Sequence, residues 1–340
     1  MKHKYLICTL ILAFLINPQI KAGETKVGTS AANFMKIEVG ARASALGGAF
    51  VSISNDLTSM YWNPAGLANY NSISAQIEHL QLYAGIVHNF GGLSIPLGSD
   101  LTIGLNAIYL TSGDIEITTE SQWDGTGQFY EVSNMSLGVS VAKKMTDRLL
   151  VGLNLKYLRE SISRNSASSF AADFGLLLHT DIYGLNIGMN LSNVGPPMKM
   201  SGIDMQFQSE PDHQGLFNAP AELITEEWAM PTTFRMGLSA EIIGAKGDII
   251  KSDKSTLLSS VDLSSAVDYN LKSNIGIEYV FDEQFSIRSG YRIGYSESSF
   301  SAGAGVKIII GGLGLFAFDY SYSDFGVFDG VHRFGIMISQ

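Results

Sequence analysis

Residues of opposite character alternate one for one along many stretches of this chain. Over residues 183–192, Tyr183, Leu185, Ile187, Met189 and Leu191 interleave with Gly184, Asn186, Gly188, Asn190 and Ser192. Leu149, Val151, Leu153, Leu155 and Tyr157 oppose Gly152, Asn154 and Lys156, and Leu101, Ile103, Leu105, Ala107 and Tyr109 oppose Thr102, Gly104 and Asn106. Phe300, Ala302, Ala304, Val306 and Ile308 oppose Ser301, Gly303, Gly305 and Lys307. Successive strand residues face opposite sides of a sheet, so a period of two makes strands with one apolar face and one small, polar face. Beyond the N-terminal segment no window is apolar for 18 residues, which excludes helical membrane spans.

The alternation predicts about 14 strands, near 72–80, 84–97, 101–113, 133–145, 149–162, 168–180, 182–193, 231–243, 256–266, 272–281, 284–295, 299–310, 313–323 and 331–340. Many are longer than the five or six residues usual in soluble proteins. They match the roughly 9–11 residues that a tilted strand needs to cross a bilayer. Very short connections near 98–100, 146–148, 181, 282–283 and 311–312 alternate with longer ones that include 114–132, 194–230 and 324–330. Segment 244–255 breaks this rule. Short periplasmic turns alternating with longer outer loops are the habit of outer-membrane barrels. Tyr109, Tyr157, Tyr183, Tyr279 and Tyr295 are placed as interfacial aromatics. Backbone groups in hydrocarbon find no water, so every strand needs two neighbours and the sheet must close. The fold class expected is all-β, a transmembrane antiparallel β-barrel of the outer membrane of a Gram-negative bacterium.

The ends of the chain fit this setting. Lys2 and Lys4 precede an apolar run from Leu6 to Ile16, and Ile20-Lys21-Ala22 reads as a cleavage site, so residues 1–22 form a secretory signal. Without those residues, which hold three lysines and no acid, the net charge falls from −10 to −13. The single cysteine, Cys8, lies in the signal, so the mature chain has no disulfide, thiolate metal site or cysteine nucleophile. An acidic exported chain with only 16% charged residues is a poor partner for nucleic acid.

Residues 23–71 do not alternate. Ala41 to Leu46 suit one or two helical turns ended by Gly47 and Gly48, and Asp56 is placed to cap a second short helix. Pro64 holds Asn63 out of the helical region, and the Asn63 side chain is suited to bonding nearby backbone. Gly66 is expected to supply a positive φ. Such a compact, small-residue segment suits a plug inside the lumen, with the barrel spanning 72–340.

The stretch GARASALGGAFVSISNDLTSMYWNPAGLA, residues 40–68, resembles the N-terminal region of the FadL superfamily of outer-membrane barrels, and within it the PorV/PorQ family. Arg42 to Ala49 and Trp62 to Leu67 carry most of that likeness, and residues 230–239 and 332–339 also fit. The resemblance implies a 14-strand barrel whose lumen is plugged by the N-terminal segment. It makes Arg42, Gly47, Gly48, Trp62, Asn63, Pro64, Ala65 and Gly66 the structural or gating residues of that plug. Such barrels often finish on an aromatic residue, whereas this chain closes with Ser339-Gln340.

No motif of enzyme chemistry is present: there is no G-x-S-x-G, H-E-x-x-H or P-loop, and the six histidines are dispersed. No metal or cofactor is expected. Glu278, Arg288, Arg292 and Lys307 fall on the polar face of neighbouring strands and are candidates for lumen charges that balance one another. Loop 194–230 holds Met198, Met200, Met205, Phe207, Phe217 and Trp228, a set suited either to contacting a partner or to packing over its own barrel mouth. The resemblance implies a non-enzymatic barrel in contact with outer-membrane lipid. It serves either type IX protein secretion, through a translocon subunit or a secreted cargo C-terminal domain, or passive transport of hydrophobic small molecules.

Overall fold

The structure, a computed structural model, describes residues 27–180, 182, 184–208, 220–245, 250–296, 299–312 and 314–340. The expected signal, the first residues of the expected plug, Tyr183 and Phe217 lie outside the described residues.

Fourteen antiparallel strands close into a barrel among the described residues. In chain order they are β1 (Ser74–Gln81), β2 (Val87–Pro96), β3 (Leu101–Glu116), β4 (Phe129–Lys144), β5 (Leu149–Ile162), β6 (Asn165–His179), β7 (Asn186–Val194), β8 (Thr233–Gly244), β9 (Ser255–Ala266), β10 (Tyr269–Phe281), β11 (Phe285–Ile293), β12 (Phe300–Ile310), β13 (Gly314–Asp324) and β14 (Gly330–Ser339). Each strand pairs with the next, and β1 pairs with β14 from Ser74↔Ser339 to Gln81↔His332, which removes every open edge. Two-residue pieces, Ser201–Gly202 and Ile250–Lys251, pair onto β6 and β8. The second of these occupies part of the connection that broke the short-turn rule.

The distribution of polarity is inverted relative to a soluble protein. Ile77, Phe170 and Ile287 are about two-thirds exposed, at 67%, 69% and 67%, while Asn154, Asp262 and Arg288 on the other face are each 2% exposed. Apolar groups on the outside are stable only if the surroundings are apolar, so the outer face is the lipid face and the inner face lines the lumen. The β3–β4 hairpin rises further than its alternation showed. A register irregularity between Thr111 and Asp114 lets polar residues such as Asp114 and Glu131 keep pairing where the apolar rhythm has stopped.

The N-terminal segment fills the lumen. Helix α1 (Ala41–Ala45) touches β11–β14, and the 3-10 turn Pro64–Asn69 touches β3–β6 on the opposite wall. Between them Phe50, Leu57, Met60 and Leu67 are fully buried. One sector of the inner wall is apolar: Phe90, Ile108, Leu110, Leu158 and Leu177 join the segment's Phe34, Met35 and Tyr61 in a single core. Alternation alone cannot separate such inward apolar residues from lipid-facing ones.

Candidate functional site, a plug locked to the barrel wall

Helix α1 is stopped by two glycines in the left-handed region, Gly47 (φ 67°) and Gly48 (φ 78°). The Gly48 N–H donates to the Ala43 carbonyl and the Gly47 N–H to the Ser44 carbonyl, each at 2.9 Å, which satisfies the helix end. The turn lies against wall backbone: a Cβ on Gly47 would come within 2.9 Å of the Tyr291 nitrogen, and one on Gly290 would overlap Gly47 itself. This backbone-to-backbone approach requires glycine on both sides.

Arg42 extends from this helix to the wall. It meets Glu278 of β10 through two bonds, Nε to Oε1 at 2.9 Å and Nη2 to Oε2 at 2.7 Å. Glu278 also accepts from Arg288 Nε at 2.6 Å, and Arg288 reaches Asp319 of β13 at 2.5 Å. Within the plug, Arg42 faces Asp56 at 3.8 Å and lies over the Phe50 ring. A second pair joins Arg292 of β11 to Glu38, Nη2 to Oε2 at 2.6 Å. Of the four expected lumen charges, Glu278, Arg288 and Arg292 are therefore joined to the plug or to one another. Lys307 lines a cavity on the short-turn side instead.

Wall carboxylates and amides also hold plug backbone. Glu78 accepts from Ala41 N–H at 2.8 Å, Asp262 from Val51 N–H at 2.8 Å, and Gln76 from Leu57 N–H at 2.9 Å. Each satisfies an N–H that the irregular segment cannot pair internally. Sequence reasoning missed Glu38, Glu78, Asp262 and Asp319. The available signal was a carboxylate at an inward position of an alternating strand, which lipid would exclude from the other face.

The second motif closes the far side. Asp56 accepts from the Thr58 N–H at 2.9 Å, as a cap before helix α2 (Ser59–Trp62). Asn63 is extended (φ −162°, ψ 99°) as Pro64 requires; its Oδ1 accepts from Ala65 N–H. Its Nδ2 donates to the Val51 carbonyl at 2.9 Å and to the Leu176 carbonyl of β6 at 3.0 Å. Trp62 Nε1 donates to the Val39 carbonyl at 2.8 Å. Ala65 is buried. The expectation for Gly66 is corrected: its φ is not positive. Glycine is required there because a Cβ would overlap the Ser54 carbonyl oxygen.

The plug separates two cavities. One, of about 1280 Å³, opens on the short-turn side and is lined by Arg42, Glu241, Glu278 and Lys307. The other, of about 520 Å³, opens on the long-loop side beside Trp62, Arg235, Asp268 and Lys272. Tyr295 lines this second cavity rather than facing lipid with Tyr279. Of the loop residues, Met198 is buried and Met200 packs on the lumen core, while Phe207 and Trp228 are exposed and Met205 is half-buried.

The family model described as type IX secretion system protein PorV matches residues 20–211, more than half of the chain. The chain belongs to the PorV family. It is an outer-membrane β-barrel, and its relatives in fold are FadL-like. The CymD monoaromatic hydrocarbon channel superposes with a TM-score of 0.58 at 13% identity, covering 89% of this chain and 97% of that one. The Pseudomonas putida toluene transporter TodX gives 0.55 at 10% identity, with 88% and 96% covered. A Pseudomonas aeruginosa FadL homologue gives 0.51 at 12% identity, with 88% and 98% covered. At these identities the likeness establishes the fold. A comparison with curated protein sequences returns no match.

Proposed function

We propose that this PorV-family chain is a non-enzymatic accessory of type IX secretion, acting as a partner of the translocation channel or as a carrier of cargo. One observation carries the reading: the plug is bonded to opposite walls of the barrel, through Arg42–Glu278 on one side and Asn63–Leu176 on the other. A lumen tied across its width is unsuited to passing a polypeptide, so a secretion role falls to the outer surfaces. Loop 194–230 offers exposed Phe207 and Trp228 there, beside Leu223 and Ile224. Tagged protein drawn from detergent-solubilised membranes, with a photo-crosslinker at position 207 or 228, is expected to carry a large translocon subunit or the C-terminal domain of a secreted protein. Recovery of neither sinks the reading.

A second reading, FadL-like passive transport of hydrophobic molecules, is favoured by the cavity of about 520 Å³ on the long-loop side, a size suited to a small ligand. Its lining by Lys36, Glu38, Arg235, Asp268 and Lys272 is costly to desolvate against hydrocarbon. Liposomes containing the protein are expected to take up labelled laurate no faster than empty ones.

A further inference from the structure

The cavity on the long-loop side is enclosed by the N-terminal segment, the β9–β10 turn and the residues following β11. Val27 is the single aliphatic side chain among its lining residues; the other large groups are Tyr61, Trp62, Tyr269 and Tyr295. Such a lining gives little return for burying an alkyl chain, which gains mainly by contact with aliphatic surface.

Three of its polar groups are left with bonding capacity. Asp268 is 3% exposed; its Oδ2 accepts from Ser30 and Lys36, and its Oδ1 has no hydrogen-bond partner among the described residues. Asn274 of β10 is 4% exposed, and its Oδ1 is likewise without a partner. Buried acceptors without donors are rare because each costs free energy. The third group is Lys272. Its ammonium lies 4.2 Å from the ring centroids of both Tyr269 and Tyr295, and no carboxylate is within ion-pair distance among the described residues. Two aromatic faces hold this cation in place and leave its N–H groups available.

We infer that this cavity binds a sugar ring bearing an anionic group, a carboxylate or a phosphate. The anion meets Lys272, ring hydroxyls donate to Asp268 Oδ1 and Asn274 Oδ1, and the tyrosine and tryptophan rings offer faces to the polarised C–H edges of the sugar. The volume of about 520 Å³ suits one or two rings. The same chemistry reaches the cell surface as a free sugar acid or at the head of a glycolipid. The inference stands independently of the secretion reading.

The test uses the full mature chain in a sugar-free detergent, titrated calorimetrically with glucuronate, glucose, laurate and an alkyl glucuronide. Saturable glucuronate binding is expected, with glucose at least about tenfold weaker, the size of one lost charged hydrogen bond. Laurate should not displace it. Lys272→Gln and Asn274→Val should each weaken it about tenfold while keeping heat-modifiable mobility on gels; if one variant does not fold, the other decides. An alkyl glucuronide that binds more tightly than glucuronate assigns the site to a glycolipid, and equal binding assigns it to the free sugar. Absence of saturable glucuronate binding, displacement by laurate, or unchanged affinity in the folded variants overturns the inference.

Discussion

Arg42 of the plug and Glu278 of the wall, 236 residues apart in sequence, form a two-pronged ion pair in which both side chains are almost wholly enclosed. Paired guanidinium and carboxylate groups of this geometry are strong because both bonds are charge-assisted and parallel. The arrangement is also vulnerable, since removing one partner strands the other charge away from water.

Arg42→Met is therefore expected to destabilise the folded barrel by about 3 kcal/mol, the lower end of the range for breaking a buried pair, because Arg288 still neutralises Glu278. The temperature at which the protein loses its heat-modifiable gel mobility should fall. In planar bilayers the variant should show intermittent conductance that the parent lacks. A variant as heat-stable and as silent as the parent would contradict the plug's anchoring.

Asn63→Asp preserves shape and reverses the sense of the side chain. Its Nδ2 now donates to the Val51 and Leu176 carbonyls, and a carboxylate would face both with lone pairs. Loss of two buried hydrogen bonds, at about 1–3 kcal/mol each, should make Asp worse than Ala at this position. Urea unfolding in detergent, followed by tryptophan fluorescence, ranks the two.

Gly66→Ala forces a Cβ onto the Ser54 carbonyl, whereas Gly91→Ala meets nothing within 4 Å. Overpacking of about 1–3 kcal/mol is expected at position 66 and a change within about 0.5 kcal/mol at position 91. Equal midpoints for the two variants would show that the plug yields freely there.

Asp268 sits in the turn between β9 and β10. Burial works to raise its pKa, but the hydrogen bonds from Lys36 and Ser30 and the Lys36 charge outweigh it, holding the carboxyl below its ordinary 3.8. A depressed pKa contributes stability that is present above the unfolded value and is lost as pH falls through the folded one. Residues 30–36 should thus stay protected from hydrogen exchange at pH 5–7 and lose protection as pH drops below about 3.8. In Asp268→Asn that acid-dependent loss should disappear, with lower protection at neutral pH.

Much of the barrel was legible because a period of two is a local property. Whether Ile103 or Asn106 faces lipid follows from its immediate neighbours, so strand positions and number emerged from the chain alone. Strand ends were less legible. β4 begins at Phe129, ahead of the expected 133, because hydrogen-bonded pairing continues above the lipid where no apolar rhythm is needed. The plug's helices and the extended Asn63 also followed from local rules of glycine, proline and capping. The Gly66 reading did not hold, since the demand at that position is space beside Ser54, a contact 12 residues away.

The sequence by itself determined the class of fold, the face each strand residue presents, and the presence of a non-alternating N-terminal segment, because these depend on neighbours along the chain. Only the tertiary structure decided that Arg42 meets Glu278, that Glu78 and Asp262 hold plug backbone, and that Lys272 lies between Tyr269 and Tyr295 over a cavity with unpaired acceptors. Those meetings depend on the register of a closed barrel and on how the plug is turned within it. Both are fixed by the packing of the whole chain, and no single segment encodes them.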